Sequence, residues 1–278
     1  MKAGRLNLAA LALTLLAAGS VALGARCLSA TQARCSVSTL FGQAPRLDVP
    51  YAATRPELVE RMLDMAGVKA GDRVLDLGTG DGRILLAAVR RGASGLGVDI
   101  DPVLVADARA AAEAAGLATQ ARFEARDLFA TPLAGHDVVT MFLLPEVNMR
   151  LRPRLLAELE PGARVVSHVF DMGDWRPDRT ERVGGARAHL WIVPARVRGR
   201  WRMSGPDGEA DLVLSQRFQD LNGTLGMQPV EGRLRGARIS MVVGRGPTAR
   251  RYEGELRGNA LVGEGWRAAR LPVARSLP

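Results

Sequence analysis

Residues 73–102 read RVLDLGTGDGRILLAAVRRGASGLGVDIDP, and this stretch decides the fold. An apolar run through Leu77 leads into the glycine-rich segment 78–82. A helical stretch to Arg91 follows, and a second apolar run ends in Asp99. The order strand, glycine turn, helix and strand predicts the mononucleotide-binding half of a doubly wound sheet.

The spacing of the glycines distinguishes between nucleotide ligands. A dinucleotide fingerprint needs a glycine at position 83, where Arg83 stands, and the observed spacing is G-x-G-x-G. Asp76 would repel a pyrophosphate but attract a cationic amino-acid group. Asp99 follows Gly78 by 21 residues, close to the spacing of about 20 expected for a carboxylate that binds both ribose hydroxyls.

The stretch resembles motif I of the class I S-adenosylmethionine (SAM) methyltransferases, with GVDIDP at 97–102 as their second motif. The resemblance implies a Rossmann-like seven-strand sheet and S-adenosyl-L-methionine as cofactor. Asp76 and the glycine turn would hold the amino-acid part of the donor, Asp99 its ribose and Asp127 its adenine. The predicted cofactor-binding residues are Asp76, Gly78, Thr79, Gly80, Asp81, Gly82, Asp99, Ile100, Asp127 and Leu128.

The composition limits the partners. The 278-residue chain has a net charge of +9, and its arginines are spread along the whole sequence. Charge that is spread in this way more often reflects the overall composition of a protein than a binding patch. It is also compatible with an anionic membrane surface or an acidic partner. Aromatic residues make up 4% of the chain, which argues against binding single-stranded nucleic acid. Two cysteines, Cys27 and Cys35, predict neither a disulfide framework nor a metal site.

The N-terminus contains a hydrophobic segment. Lys2 and Arg5 precede an apolar run over residues 8–23. Its sixteen residues are fewer than the roughly 20 that span a bilayer. A basic start followed by an apolar run is also the pattern of a cleavable signal peptide. Because SAM is made and kept in the cytosol, we expect an uncleaved membrane anchor with a cytoplasmic catalytic domain. Export after cleavage of a signal peptide is the alternative.

The predicted fold class is α/β, a Rossmann-like seven-strand methyltransferase sheet followed by a small all-β antiparallel C-terminal domain. Further strands are expected at 121–129, 136–144 and 163–170, with 187–197 completing the sheet as an antiparallel strand. Beyond these, short alternating runs separated by glycines or turn pairs, such as Asn222-Gly223, predict five to seven strands in a small barrel or sandwich. The expected domains are an anchor or signal segment (1–35), a linker (36–50), a SAM-dependent methyltransferase domain (51–197) and a β-rich accessory domain (198–278).

Motifs on the acceptor side narrow the resemblance. The segments LLPEVN at 143–148, PGARVVSHVFDMGDW at 161–175 and HLWIVPA at 189–195 are similar to a bacterial branch related to the mitochondrial protein-lysine methyltransferases. Those enzymes modify the c subunit of ATP synthase and the adenine nucleotide translocase. The resemblance implies methyl transfer to an acceptor amine, with lysine of a protein, which could be a membrane protein, as the first choice. LLPE lacks the Asn/Asp-Pro-Pro-aromatic pattern of adenine amino-methyltransferases, which argues against a nucleic-acid acceptor.

Five polar side chains near the carboxyl ends of the fourth and fifth strands are the catalytic candidates: Glu146, Asn148, His168, Asp171 and Asp174. Each could instead be a cap or a loop hydrogen bonder, and His168 could be a satisfied core histidine. A lysine acceptor must arrive neutral, which needs desolvation or a base. Two alternatives stay open: a small-molecule or lipid acceptor, and a non-catalytic SAM-binding scaffold whose β domain binds a partner.

Overall fold

The computed structural model describes residues 52–206 and 208–272. The predicted anchor or signal segment and the predicted linker lie outside these described residues. Within the two described ranges, no helix is long and apolar enough to cross a bilayer.

The first part of the described chain builds one mixed sheet, in which β1 to β5 run parallel. Its seven strands lie in the order β3-β2-β1-β4-β5-β7-β6, so the predicted α/β methyltransferase sheet is confirmed. The elements are α1 (Pro56–Ala66), β1 (Arg73–Leu77), α2 (Arg83–Arg90), β2 (Ser94–Asp99), α3 (Pro102–Ala114), β3 (Ala121–Ala125), β4 (Val138–Met141), α4 (Pro145–Glu158), β5 (Arg164–His168), β6 (Arg179–Val183) and β7 (Ala186–Ile192).

The central strands are apolar on both faces because helices cover both sides of the sheet. Val74 of β1 and Val138 of β4 pack with α1, α2 and α3. Their neighbours Leu75 and Val139 pack on the opposite side with α4. This burial explains why β1 and β4 read as nearly continuous apolar runs and holds their carboxyl ends in a fixed arrangement.

The last strand expected from the sequence is one half of a hairpin. β7 ends at Ile192, and β6 pairs antiparallel with it at the outer edge of the sheet. The sequence RTERV of β6 lacks the apolar pattern of a buried strand, because an edge strand with one exposed face needs few apolar residues.

The sequence Thr54-Arg-Pro-Glu57 has the pattern of a capping box and predicts Thr54 as the N-cap of α1, and this prediction is wrong. Arg55 is the N-cap of α1, without a capping bond from its side chain. The Thr54 hydroxyl lies instead 3.0 Å from Nδ1 of His168.

The C-terminal part is a closed antiparallel barrel of eight strands, more than the five to seven expected. The segment 233–243 contains a tight turn and so contributes to two strands. Asn222-Gly223 lies within a strand, where Gly223 pairs with Leu214 and Val230, and is not a turn. The strands are β8 (Gly199–Gly205), β9 (Gly208–Arg217), β10 (Asp220–Leu225), β11 (Gln228–Arg235), β12 (Arg238–Val243), β13 (Arg250–Arg257), β14 (Ala260–Gly263) and β15 (Trp266–Arg270).

The barrel contacts the segment before β5. Gly236, in the β11–β12 turn, lies so close to Gly162 that a Cβ on Gly236 would be 2.9 Å from the Gly162 Cα. The same turn accepts a 2.8 Å hydrogen bond at the Gly236 carbonyl from the Ala195 N–H. The predicted division near residue 197 places these two parts in separate domains, and it stays a prediction.

Candidate active site

A cavity opens at the carboxyl ends of β1, β2 and β4, the edge at which open α/β sheets bind their ligands. It brings together seven of the ten residues predicted to bind the cofactor. The full lining is Ala52, Ala53, Thr54, Gly78, Thr79, Asp81, Arg83, Ile84, Asp99, Ile100, Leu104, Arg126, Asp127, Leu128, Phe142 and Leu143.

The glycine turn shapes the floor of this cavity. Gly78, Gly80 and Gly82 all have left-handed backbone angles, with φ of 73°, 55° and 79°. A Cβ at Gly78 would lie 2.7 Å from Cδ2 of Leu143. A side chain at position 78 would collide with Leu143, so glycine is required for the turn to form the floor of the cavity.

Asp99 is a fixed, half-exposed carboxylate in the cavity. Its Oδ2 accepts a hydrogen bond from the Gly80 N–H at 2.8 Å, and its Oδ1 accepts one from the Asp101 N–H at 3.0 Å. A carboxylate has about four lone-pair sites, so Asp99 retains capacity to accept from ribose hydroxyls. Ile100 beside it is 46% exposed and lines the same cavity, which suits a flat apolar face such as adenine.

Asp76 lies beneath the cavity and does not line it. Its side chain is buried, and its two oxygens accept hydrogen bonds from the hydroxyls of Thr79 at 2.7 Å and Thr140 at 2.6 Å. Burial raises the pKa of this carboxyl to about 6. The structure thus gives Asp76 a role in holding the glycine turn, and its contact with the donor stays a prediction, like those of Gly80 and Gly82.

Asp127 and Leu128 lie on the cavity wall beyond β3. The Asp127 Oδ1 accepts a 2.8 Å hydrogen bond from the Phe129 N–H and caps a short 3-10 turn over Leu128–Ala130. The cap fixes the carboxylate and leaves further lone pairs for a donor such as the adenine amino group.

The residues before α1 form a strap (Ala52–Thr54) over the cavity, which the sequence did not reveal. Arg83 donates from Nη1 to the Thr54 carbonyl at 3.0 Å. The same guanidinium makes a two-pronged ion pair with Asp81, with Nε–Oδ1 at 2.9 Å and Nη2–Oδ2 at 2.6 Å. Arg83, which excluded a dinucleotide fingerprint, therefore connects the glycine turn to the strap.

His168 is the catalytic candidate nearest to the cavity. Its ring centroid lies 3.8 Å from that of Phe142, which lines the cavity, and its Nδ1 meets the hydroxyl of Thr54. Burial, with a smaller contribution from the Arg55 charge, lowers its pKa to about 4. The ring is neutral at pH 7 and too weak a base to deprotonate an ordinary lysine ammonium.

The other four catalytic candidates do not line the cavity. Asn148 is buried and donates from Nδ2 to the carbonyls of Phe170 at 3.2 Å and Asp171 at 3.3 Å. Asp174 pairs with Arg152 and, at 2.8 Å, with Arg217 of the barrel. Asp171 accepts from the Gly173 N–H at 3.0 Å, and Glu146 is exposed in the first turn of α4. Their catalytic roles stay predictions.

Backbone strain marks the segment after β5. Val169 has a φ of 67°, which is rare for a β-branched residue, and the Phe170 N–H donates to the His168 carbonyl across it at 2.8 Å. Asn148 bonds to the carbonyls that follow and so supports this conformation. Phe170 of this segment stacks on Phe142, with 6.5 Å between the ring centroids.

Comparisons with known proteins agree with this geometry. The sequence model described as the ANTKMT methyltransferase domain matches residues 76–179. A protein-lysine N-methyltransferase from Saccharolobus islandicus (strain REY15A) is 40% identical over 137 residues, which cover 85% of that protein and 49% of this chain. The chain belongs to the ANTKMT family of methyltransferases. Its predicted SAM dependence is therefore confirmed.

Two mouse relatives of this ANTKMT-family enzyme are also similar. An adenine nucleotide translocase lysine N-methyltransferase is 37% identical over 153 residues, 54% of this chain and 66% of that protein. A lysine N-methyltransferase of the ATP-synthase c subunit is 35% identical over 132 residues, 48% of this chain and 53% of that protein. The chain thus spans less than two thirds of each mouse relative.

One solved structure shares the fold of the ANTKMT-family domain. It is a crystal structure of an RNA methyltransferase from Salinibacter ruber in complex with S-adenosyl-L-homocysteine (SAH). The identity is 46%, the TM-score is 0.52, and the match covers 96% of that chain and 52% of this one. The matched family domain ends at residue 179, before the barrel begins.

Replacing His168 tests its neutral state. The folded pKa of about 4 lies below the ordinary 6.5, so the unfolded chain binds more protons between these values. The contribution of His168 to the free energy of unfolding is present above pH 6.5 and is lost as pH falls toward 4, a change of about 3 kcal/mol. Urea unfolding should show wild type losing this amount relative to His168→Gln between pH 7 and pH 4. A difference that does not change with pH would contradict it.

Asp76 has the opposite pH dependence. Its folded pKa of about 6 lies above the ordinary 3.8, so its contribution to stability is present below pH 3.8 and is lost as pH rises toward 6. The two groups partly compensate in the wild type, which is why the difference between wild type and His168→Gln is the quantity to measure.

Proposed function

We propose that this enzyme transfers a methyl group from SAM to the side-chain amine of a lysine in an acceptor protein. The observation that carries the proposal is the cavity at Asp99, at the carboxyl edge of the sheet. This cavity lies in a chain that is 40% identical to a protein-lysine N-methyltransferase, in a match that covers 85% of that relative. The acceptor is identified by this similarity and the donor by the cavity.

The residues of the cavity have separate tasks toward the donor. Gly78 and Thr79 hold its amino-acid end against the turn, Asp99 accepts from its ribose hydroxyls, and Asp127 and Leu128 take its adenine. When bound there, SAM supplies an electrophilic methyl group on a sulfonium. The protein then mainly aligns the acceptor nitrogen with that methyl group and excludes water.

The acceptor amine must lose its proton before the transfer. The neutral His168 is not the base, because its pKa of about 4 is far below that of an ordinary lysine. Phe142 and Leu143 present apolar surface at this edge of the cavity. We propose that desolvation against these side chains lowers the pKa of the incoming lysine and that solvent takes the proton.

The acceptor protein could be a membrane protein. Two relatives are described as methyltransferases of the adenine nucleotide translocase and of the ATP-synthase c subunit.

We propose an N-terminal membrane anchor over residues 8–23 with the catalytic domain in the cytoplasm, where SAM is available. A protease-protection assay on membranes from expressing cells tests this arrangement, and recovery of a cleaved, exported chain would contradict it.

RNA is the second candidate acceptor. One specific observation favours it, the 46% identity to a chain described as an RNA methyltransferase. Against it stand LLPE in place of an Asn/Asp-Pro-Pro-aromatic motif and the aromatic content of 4%. We therefore place protein lysine first and let the acceptor assay decide.

The assay supplies methyl-labelled SAM and the purified enzyme to extract from a strain that lacks it. Protein, lipid, RNA and small-molecule fractions are then counted separately. We expect label in protein with wild type and background label with Asp99→Ala. Label confined to RNA, lipid or small molecules would overturn the lysine proposal without affecting the assignment of the donor site.

A further inference from the structure

A second cleft, of about 740 Å³, lies between the outer edge of the sheet and the barrel. Its volume falls within the roughly 300–1,000 Å³ of sites for small ligands. Met65 of α1 and Leu190 of β7 line its sheet side. β11 and β12 line its barrel side, where Leu234 and Ile239 turn their side chains into the barrel core and Arg235 and Arg238 lie on the outer face. Four arginines, two carboxylates, Pro177 and Ser240 complete the lining.

The four arginines of the cleft differ in their pairing. Arg233 donates to Asp178 at 3.1 Å, and Arg179 pairs with Glu181. Arg235 and Arg238 have no ion pair or side-chain hydrogen bond within residues 52–206 and 208–272. Their guanidinium groups therefore keep their donors available for a ligand.

Arg235 and Arg238 also face each other. They are register partners on β11 and β12, on either side of the two-residue turn at Gly236. Like charges directly opposite across a strand pair are destabilising. Glu255 is the register partner of Arg238 on β13, but its carboxylate pairs with Arg257 at 3.2 Å. An anion between the two arginines would remove the repulsion.

We propose that this cleft binds a phosphate-bearing ligand with an apolar portion, its phosphate held by Arg235 and Arg238. Guanidinium forks match the geometry of phosphate oxygens and bind them with two parallel hydrogen bonds. The apolar portion of the ligand would lie against the sheet side of the cleft, at Met65 and Leu190. A folded acidic protein fits less well, because stable protein interfaces bury about 800 Å² on each partner and this site is a cleft.

The ligand would contact both parts of the enzyme, since α1 and β7 line the cleft on one side and Arg235 and Arg238 of the barrel line it on the other. A ligand that binds only the folded state raises its stability. The cleft contains Arg179 and Leu190, whereas the donor cavity lies at the carboxyl ends of β1, β2 and β4. The two sites have no lining residue in common, so SAH should not compete with this ligand.

Calorimetry with dihexanoyl phosphatidic acid, below its micelle concentration, tests the proposal on the full chain. We expect binding to wild type and a dissociation constant about tenfold higher or more in Arg235→Gln/Arg238→Gln, because two charge-assisted contacts are lost. Arg245→Gln/Arg267→Gln is the matched control, since it removes two exposed arginines of the barrel outside the cleft. It should bind like wild type.

Further ligands separate the contributions to binding. Inorganic phosphate should compete with the lipid, and dihexanoylglycerol, which lacks the phosphate, should not bind. Each protein should also bind SAH and unfold at a similar temperature, which shows that the variants are folded. Equal lipid affinity in all three proteins, no competition by phosphate, binding of dihexanoylglycerol, or binding of polyglutamate without binding of the lipid would each overturn the proposal.

Discussion

Asp99→Ala is expected to lower the affinity of the enzyme for SAM and SAH by about 100-fold or more. Hydrogen bonds to a charged group contribute about 1.5–3 kcal/mol each, and the ribose offers two hydroxyls. The substitution also removes the acceptor of the Gly80 N–H at 2.8 Å, so the glycine turn loses a support. Calorimetry with SAH measures the change directly, without a methyl acceptor.

Asp101→Asn is the matched control for this substitution. Asp101 is the N-cap of α3, and its Oδ1 accepts from the Val103 N–H at 2.9 Å without lining the cavity. Asparagine retains the cap, so SAH binding should be close to that of wild type. If Asp99→Ala binds SAH as well as Asp101→Asn does, Asp99 is not the ribose carboxylate.

Gly97→Ala is expected to destabilise the fold by about 2–3 kcal/mol, as overpacking of a dense core does. A Cβ at Gly97 would lie 2.6 Å from Cδ1 of Phe123 and 2.6 Å from the hydroxyl oxygen of Thr79. Thr79 donates to the buried Asp76, so its displacement would disturb the floor of the donor cavity. We therefore expect weaker SAH binding as well as a lower free energy of unfolding.

Gly205→Ala provides the comparison for Gly97→Ala. Gly205 is also a strand glycine, and the contact nearest to its added Cβ would be an ordinary 3.5 Å to Cβ of Trp266. Urea unfolding and SAH calorimetry on both variants separate a crowded strand from a strand glycine in general. Equal stability and equal SAH affinity for the two variants would show that the Thr79 and Phe123 side chains yield without cost.

Much of the fold could be predicted because it depends on local signals. The central strands are continuous apolar runs because both faces of the sheet are buried. The glycine turn and the carboxylate at the end of β2 are recognised by their spacing in the sequence. β6 escaped detection because the edge strand RTERV is largely exposed. The barrel has more strands than the five to seven predicted, in part because two residues at Gly236 are enough for the turn between β11 and β12.

The donor side of the site was predicted from segments next to one another in sequence. Gly78, Asp99 and Asp127 lie at or just after the carboxyl ends of the parallel strands β1, β2 and β3, and such strand ends meet at one edge of the sheet. The strap at Thr54 could not be predicted in the same way. Its contacts with Arg83 and His168 join segments that are 29 and 114 residues apart and have no local pattern.

The predicted capping box shows how a local pattern can mislead. The sequence from Thr54 to Glu57 has the right residues for a cap, but the hydroxyl bonds to the ring of His168 instead. A tertiary contact therefore outweighed the local preference at Thr54. Asp174 also makes a tertiary contact that no local pattern indicates, its ion pair with Arg217 of the barrel, and its catalytic role stays a prediction.

The most direct test of the central claim is the chemical identity of the methylated residue. Protein from the extract assay would be digested completely to amino acids and separated by chromatography with mass detection. We expect the label from SAM in mono-, di- or trimethyllysine for wild type and none for Asp99→Ala. Label in protein that is recovered in methylarginine, methylhistidine or another residue, with no methyllysine, would contradict the account.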